Sequence, residues 1–240
     1  LYIQKYVRTR FRIIWLRQNT EIRIYKIFVS YTFMLQTKYN PSNTYEIGVD
    51  ECARGPLFGR LYTAAAVLPE QFDHHLMKDS KKIKSRKKMQ DLSDYIKENA
   101  VAYSVDFIEA DEIDKINIRQ AVLKSMRQSI INVIDKLDSA DVFAVVDGND
   151  FLPFTHKDRM IPFTTVKQGD NTYTFIAAAS ILAKCAHDKY IAELCEAEPD
   201  LHEKYDLLNN VGYGTKKHLE GIEKHGISQY HRKSYSRCKI

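Results

Sequence analysis

Beyond residue 44, short apolar runs alternate with longer segments in which apolar residues recur every three or four positions. The short runs predict β-strands and the longer segments predict helices, so the chain is expected to fold as a mixed α/β domain. Strands are predicted at residues 45–50, 61–68, 101–108, 142–146 and 160–166. Helices are predicted at residues 81–98, 117–137, 172–196 and 216–225. Asp170 precedes the third helix and is expected to cap it. No internal repeat or low-complexity linker interrupts the pattern, which indicates a single domain over residues 45–240.

The first 44 residues lack this pattern and are expected to form a basic extension outside the fold. Residues 1–33 contain seven basic side chains and a single acid, Glu21. Three interpretations fit: an arm that binds nucleic acid, an organellar targeting peptide rich in arginine and poor in acids, or translation of codons upstream of the true start. The third is favoured, because Met34 is the first methionine and the regular pattern begins soon after it.

Composition limits the classes of function without selecting one. Hydrophobic residues make up 44% of the chain and charged residues 28%, as in soluble globular proteins. The 36 basic and 31 acidic residues give a net charge of +5, which permits a polyanionic partner. No apolar run reaches the roughly 18 to 20 residues that span a bilayer, so no membrane partner is expected. Four scattered cysteines form neither a zinc-ligand pattern nor a disulfide framework, which favours a reducing compartment such as the cytoplasm.

Two adjacent carboxylates, Asp50 and Glu51, end the first predicted strand of the domain. A solvated turn would explain such a pair, but the small turn that follows, residues 52–56, would also let a backbone approach a ligand closely. Asp147 ends another buried strand in the same manner. Either carboxylate position is therefore a strand terminus or part of a site.

A fourth acid, Asp188, lies on the long alanine-rich helix. It shares a helical face with Ile181, Lys184 and Cys185, so its side chain is expected either to point toward the strand ends or to pair with a lysine. Carboxylates are the ligands that Mg²⁺ prefers. Two such ions about 3.5–4 Å apart stabilise the attacking and leaving oxygens in phosphodiester cleavage. Convergent acids in a net basic protein thus favour an enzyme that holds metal against a phosphate backbone.

Six motifs in this order resemble those of ribonuclease HII, and the resemblance covers residues 45–235. The opening motif, residues 48–57, reads Gly-Val-Asp-Glu-Cys-Ala-Arg-Gly-Pro-Leu. The others are residues 79–82, 112–118, 146–149 with the helix through 184–188, 212–219 and 231–235. Each motif alone is weak, whereas the ordered set is specific for the family.

The resemblance implies a ribonuclease H-like fold, with a central mixed five-stranded sheet flanked by helices and a helical C-terminal part. The implied activity is endonucleolytic hydrolysis of RNA in RNA–DNA hybrids and of single ribonucleotides in duplex DNA, by a monomer that uses two Mg²⁺ or Mn²⁺ ions. It assigns metal binding and catalysis to four acids, Asp50, Glu51, Asp147 and Asp188. It assigns contact with the ribose 2′-hydroxyl, which distinguishes RNA from DNA, to Ala53, Arg54, Gly55 and Tyr213. It assigns phosphate contacts to Ser80, Lys81 and Lys184.

The chain departs from the family pattern at three positions. Ala53 stands where the recognition turn normally has glycine, His187 stands where arginine is usual, and Val211 replaces a common lysine. None of these is one of the four acids, but Ala53 raises the question whether its methyl group crowds the ribose.

Three alternatives are weighed against this interpretation. A ribonuclease HIII-like hybrid nuclease is disfavoured by Arg54 and by the lack of a long folded N-terminal domain. A catalytically silent nucleic-acid-binding module would be free to lose its carboxylates, yet all four are present. A transposase or integrase on the same fold is disfavoured by the region around Tyr213.

Overall fold

The computed structural model describes residues 12–18, 21–27, 35–77, 85–137, 139 and 141–239. The chain divides into two compact units, Leu1–Met34 and Leu35–Ile240. In the first unit, β1 (Arg12–Gln18) pairs antiparallel with β2 (Glu21–Ile27). The boundary lies earlier than the expected one at residue 45, because residues 35–44 are bonded to the second unit. Backbone hydrogen bonds join Gln36 to Thr172 (2.7 Å) and Thr174 (2.9 Å), so this part of the expected extension belongs to the domain.

A five-stranded mixed sheet forms the centre of the second unit. Its strands are β3 (Tyr45–Cys52), β4 (Leu61–Val67), β5 (Ala102–Ile108), β6 (Val142–Asp147) and β9 (Phe163–Val166), in the order β5-β4-β3-β6-β9. β3, β6 and β9 run parallel, while β4 is antiparallel to β3 and to β5. A separate hairpin contains β7 (Thr155–His156) and β8 (Arg159–Met160). The expected mixed five-stranded sheet is confirmed.

Helices cover both faces of this sheet. They are α1 (Arg86–Asn99), α2 (Ala110–Ile116), α3 (Ile118–Leu137), α4 (Thr174–Ala197), α5 (Pro199–Tyr205), α6 (Leu207–Asn210) and α7 (Lys216–His225). α3 contributes to one apolar core, and the alanine-rich part of α4 packs with α1 in a second core on β4. α4 approaches β3 so closely that a Cβ at Gly48 would lie 2.4 Å from the carbonyl carbon of Phe175. No helix within the described ranges is long and apolar enough to cross a membrane.

The structure corrects three predicted elements. The strand predicted at 160–166 is interrupted at Ile161–Pro162, since proline has no N–H for the ladder, and only 163–166 join the sheet. The helix predicted at 117–137 begins at Ile118, because Asn117 has a φ of +65° and separates it from α2. Asp170 does not cap α4. It lies in a single 3₁₀ turn at Gly169–Asn171, and Tyr173 precedes the first residue of α4.

Candidate active site

The carboxyl ends of the three parallel strands place acidic side chains at one edge of the sheet. Asp50 follows Val49, whose partner in the parallel ladder is Val146, the residue before Asp147. Asp147 in turn pairs with Val166 at the end of β9. The 3₁₀ turn that contains Asp170 comes next, and its Gly169 amide donates to Asp147 Oδ1 at 2.6 Å. Strand order therefore brings three carboxylates from distant parts of the chain together.

Asp50 is buried, with 5% of its surface exposed. Burial raises the pKa of its carboxyl well above the usual range, and the neighbouring charges of Glu51, Asp147 and Asp170 raise it further. A hydrogen bond from Ser180 on α4 acts in the opposite direction. The carboxylates therefore repel one another in a desolvated place, and a cation between them would relieve that repulsion.

Asp188 has a different environment from the other predicted ligands. Its Oδ1 accepts from Lys184 Nζ at 2.5 Å and from His187 Nδ1 at 3.0 Å. The Lys184–Asp188 pair lies near Asp50 and Glu51, because the pKa of the Cys52 thiol responds to the charges of all four residues. Because a lysine already neutralises Asp188, its carboxylate is less suited to a metal than the mutually repelling acids.

The chemistry of the cluster fits a hard divalent cation. Asp50, Glu51, Asp147 and Asp170 offer oxygen ligands, which Mg²⁺ and Mn²⁺ accept. As the side chains stand, no three His, Cys, Asp or Glu residues of the described part of the chain are grouped closely enough to hold an ion. The carboxylates would therefore have to turn toward an ion in order to bind it.

The turn after β3 is held in an unusual backbone conformation. Ala53 has a φ of +68°, in the left-handed region that glycine adopts at lower cost. Ala53 is 3% exposed, so its methyl group does not face the open surface on which Arg54 and Gly55 lie. Alanine in place of the family's glycine at position 53 therefore adds backbone strain, and its methyl group does not crowd a ribose directly.

Two side chains from the C-terminal segment hold this turn by its carbonyl groups. The guanidinium of Arg232, which is fully buried, donates to the carbonyl oxygens of Ala53 (2.9 Å), Arg54 (3.2 Å) and Gly59 (2.9 Å). The Tyr235 hydroxyl donates to the Arg54 carbonyl at 2.7 Å. These hydrogen bonds to its carbonyl groups hold the turn in place from the interior of the protein.

Tyr213 lies next to the same turn. Its side chain is 44% exposed, and its ring atom Cε1 lies 3.5 Å from the position that a Cβ at Gly55 would take. The Gly212 carbonyl accepts from the Leu57 amide at 2.9 Å, which ties the Tyr213 segment to the end of the turn. The structure therefore brings together the predicted Arg54–Gly55 turn and Tyr213.

Some predicted residues are placed, and others are not. Ser80 and Lys81 lie outside the described residues. Lys184 lies beside the acidic cluster with Asp188 as its ion-pair partner. Asp170 was expected only to cap a helix and was missed as a site candidate, because Lys167, Gln168 and Gly169 separate it from the end of the predicted strand. Arg232 was quoted only as part of a motif, since its role depends on contacts with residues more than 170 positions away.

Comparisons with known proteins identify the family and the fold. A family model described as ribonuclease HII matches residues 47–238. The ribonuclease HII of Parabacteroides distasonis is 41% identical over 198 residues, which cover 82% of this chain and 93% of that protein. The ribonuclease H2 structure from Pyrococcus horikoshii OT3 has a TM-score of 0.65 at 20% identity and covers 82% of this chain and 96% of that one. The structure of Bst-RNase HIII in complex with Mn²⁺ has a TM-score of 0.63 at 17% identity, covering 81% of this chain and 68% of that one. At these identities, the two structures show a shared fold and no more.

Proposed function

The chain belongs to the ribonuclease HII family and is a ribonuclease H, and from that premise we propose that it also cuts DNA duplexes at single embedded ribonucleotides. Cleavage falls on the 5′ side of the ribonucleotide and leaves a 3′-hydroxyl and a 5′-phosphate. The observation that carries this proposal is that the acidic cluster and the recognition turn are adjacent at the end of β3. The acidic cluster begins at Asp50, and the turn that Arg232 holds by its carbonyl groups begins three residues later at Ala53. One ribose on the turn would thus place its phosphodiester near the acids.

Ribonucleases of this family depend on divalent metal ions. In the proposed site Asp50, Glu51, Asp147 and Asp170 hold two such ions, Mg²⁺ or Mn²⁺. When bound, the ions stabilise the charge that develops on the attacking and leaving oxygens. The protein's own contribution is to hold desolvated carboxylates at fixed strand ends, which the parallel ladder and the Gly169 amide do.

Asp188 enters the proposal in a changed role. It orients Lys184, whose ammonium group then contacts the substrate phosphate, and such contacts position the duplex. The proposed set of ligands thus differs from the set that the sequence implied at one position, with Asp170 in place of Asp188.

Recognition of the sugar rests on the turn and on Tyr213. Arg54 and Gly55 are exposed residues of a turn in which the carbonyl groups of Ala53 and Arg54 accept hydrogen bonds from the buried Arg232. In the proposal, this backbone bonds the ribose 2′-hydroxyl while the Tyr213 ring packs on the sugar. A deoxyribose lacks the hydroxyl that these groups bind, which makes the turn selective for RNA.

The proposed substrates are RNA–DNA hybrids and DNA duplexes that contain ribonucleotides. We further propose that the enzyme acts as a monomer in the cytoplasm. The four cysteines, Cys52, Cys185, Cys195 and Cys238, are free thiols, which suits a reducing compartment.

A substrate panel tests the proposed function. The protein is incubated with three end-labelled duplexes of one sequence: all DNA, DNA with one central ribonucleotide, and an RNA–DNA hybrid. Each is assayed with Mg²⁺, with Mn²⁺ and with EDTA. We expect cleavage of the two ribose-containing duplexes in either metal and none of the all-DNA duplex. Cleavage of the hybrid without cleavage at the single ribonucleotide would contradict the proposal.

A further inference from the structure

Two buried histidines lie directly behind Tyr213. His218 on α7 is fully buried and His231 is 1% exposed. Their Nε2 atoms are 3.1 Å apart, and the second nitrogen of each ring has its own partner. His218 Nδ1 lies 2.9 Å from the Tyr213 carbonyl oxygen, and His231 Nδ1 lies 2.9 Å from the Ser228 amide nitrogen. The four groups form a continuous hydrogen-bonded chain that ends on the Tyr213 backbone.

The partners at the two ends determine where the protons are. The Ser228 amide can only donate, so His231 Nδ1 is an acceptor and the proton of neutral His231 is on Nε2. The Ser228 hydroxyl also lies 2.9 Å from His231 Nδ1, and because its oxygen accepts from the Tyr230 amide, its own proton can be donated to the same nitrogen. The Nε2–H of His231 donates to His218 Nε2, which must therefore lack a proton. The proton of His218 is then on Nδ1, where it donates to the Tyr213 carbonyl, which can only accept. Each bond has one possible direction when both rings are neutral.

The surroundings favour the neutral form of both rings. Burial lowers the pKa of His231 to about 3, with a further lowering from His218, and burial also lowers the pKa of His218. The rings of Phe58 and Tyr205 pack on His231 with centroids 5.0 and 4.7 Å away.

The polar groups of Tyr205, Tyr230 and Arg232, on the neighbouring elements, bond elsewhere. The Tyr205 hydroxyl donates to the Gly226 carbonyl, and the Tyr230 hydroxyl donates to Glu198. The guanidinium of Arg232 donates to carbonyl groups of the turn after β3. A proton added to His218 would go to Nε2 and face the Nε2–H of His231, and a proton added to His231 would go to Nδ1 and face the Ser228 amide N–H.

We propose that His218 and His231 form a relay of fixed tautomers that positions Tyr213 over the turn at Gly55. This inference rests on the proposed role of Tyr213 in sugar recognition. His218 is a positioning residue, since it touches the Tyr213 backbone and acts on the substrate only through it. The relay also links Tyr213 to the turn after β3, because His231 immediately precedes Arg232, whose guanidinium holds the carbonyl groups of that turn.

Three substitutions of His218 separate positioning from packing. His218→Asn keeps an N–H near the place of Nδ1, so it can still donate to the Tyr213 carbonyl. His218→Gln keeps a polar group nearer the place of Nε2, which suits His231 and leaves the Tyr213 carbonyl without this donor. His218→Leu keeps the volume and neither bond. Melting temperatures are measured for all three, and each variant is assayed well below its own Tm.

The kinetic readout is cleavage of the duplex with one ribonucleotide. Because a misplacement of about 1 Å can cost on the order of 100-fold in rate, we expect kcat to fall at least about tenfold in His218→Gln and His218→Leu. KM should change little, since duplex binding rests mainly on phosphate contacts. His218→Asn should stay within about threefold of the unmodified enzyme by the same geometric criterion. Activities that follow Tm, whichever substitution is present, would overturn the positioning role.

Tyr213→Ala separates failure of this inference from failure of the proposed function. If Tyr213→Ala cleaves normally, the proposed role of Tyr213 is wrong, and the relay loses its purpose with it. If Tyr213→Ala is impaired but His218→Gln is not, only the relay is wrong. The kcat of the double variant Tyr213→Ala/His218→Gln should be no lower than that of Tyr213→Ala alone, because both changes act through the Tyr213 ring.

The tautomers themselves are measured on the unmodified protein, which keeps the test independent of how well the variants fold. NMR correlation of the imidazole nitrogens with the ring protons distinguishes the two neutral tautomers and the charged ring. At neutral pH we expect His218 protonated on Nδ1 alone and His231 on Nε2 alone. Any other tautomer, or a charged ring at that pH, would refute the relay.

Discussion

Replacing Asp170 by asparagine distinguishes the acidic cluster at the strand ends from the predicted ligand set that contains Asp188. Asp170 is 1% exposed and raises the pKa of Asp50, whereas Asp188 is neutralised by Lys184 and accepts from His187. Asparagine keeps the shape of either side chain and removes its charge. The two substitutions, Asp170→Asn and Asp188→Asn, should therefore change the stability of the metal-free protein in opposite directions.

The size of each effect follows from the environment of the carboxylate. A like charge beside a buried carboxylate raises its pKa, and one unit of pKa corresponds to about 1.4 kcal/mol. Asp170 is the weakest of the charges that raise the pKa of Asp50, so removing it should stabilise the metal-free protein by about 1 kcal/mol or less and raise Tm in EDTA by up to about 2–4 °C for a domain of this size. Removing the charge of Asp188 weakens a half-buried ion pair and should lower stability by about 1 kcal/mol. Both estimates apply before any metal is added.

Metal binding adds a second readout. An ion at ten times its Kd stabilises the folded state by about 1.4 kcal/mol. We expect the unmodified protein and Asp188→Asn to gain Tm on addition of Mg²⁺, and Asp170→Asn to gain much less. Turnover should fall by about 100-fold or more in Asp170→Asn, since charge stabilisation in the transition state is lost.

Thermal unfolding with EDTA and with a Mg²⁺ series, together with turnover of the single-ribonucleotide duplex, measures all of these quantities. The reasoning is refuted if Asp170→Asn keeps the full Mg²⁺-dependent rise in Tm, or if Asp188→Asn loses it instead.

Three further predictions concern the metal site, the N-terminal boundary and the recognition turn. Asp147→Asn should abolish turnover and leave affinity for the duplex largely intact, because binding rests on phosphate contacts; a gel-shift assay beside turnover at saturating Mg²⁺ measures both. A chain that begins at Met34 keeps the hydrogen bonds of Gln36 and should melt and cleave like the full chain, whereas a chain that begins at residue 45 should have a lower Tm. A large loss of activity at low salt in the chain that begins at Met34 would show instead that residues 1–33 are an electrostatic arm. Ala53→Gly should leave stability within about 1 kcal/mol, since relief of the left-handed strain is offset by a lost buried methyl group and greater chain entropy. It should also leave the ratio of kcat/KM on the two ribose-containing substrates unchanged, because Arg232 already holds the turn; a preferential gain at the single ribonucleotide would show that the methyl group does hinder recognition.

The sheet was predictable because its strands carry an apolar pattern of their own. β3, β4, β5 and β6 each begin within one residue of the predicted position. The errors arise where a single residue overrides the local pattern. Asn117 adopts a positive φ and therefore lies outside the helix that was predicted to begin with it, and Pro162 interrupts an apolar run that otherwise resembles a strand. Backbone geometry of this kind is set by the tertiary contacts, which periodicity does not record.

The site was predictable in part for a related reason. Asp50 and Asp147 stand out because each ends an apolar strand, and parallel pairing then makes them neighbours. Asp170 was read as a helix cap because aspartate commonly caps helices, and only the 3₁₀ turn before α4 shows that it points to the cluster instead. The Arg232 contacts and the His218–His231 pair join residues that no local pattern connects.

The most direct test of the account is to determine the cut position and the end groups on a duplex with one ribonucleotide. Hydrolysis at an acidic metal site needs no attack by the ribose 2′-hydroxyl, so the 5′ fragment should end in a 3′-hydroxyl and the 3′ fragment should begin with a 5′-phosphate on the ribonucleotide. Mass spectrometry of both fragments identifies these ends without reference to rate. A 2′,3′-cyclic phosphate, or a cut on the 3′ side of the ribonucleotide, would contradict the account.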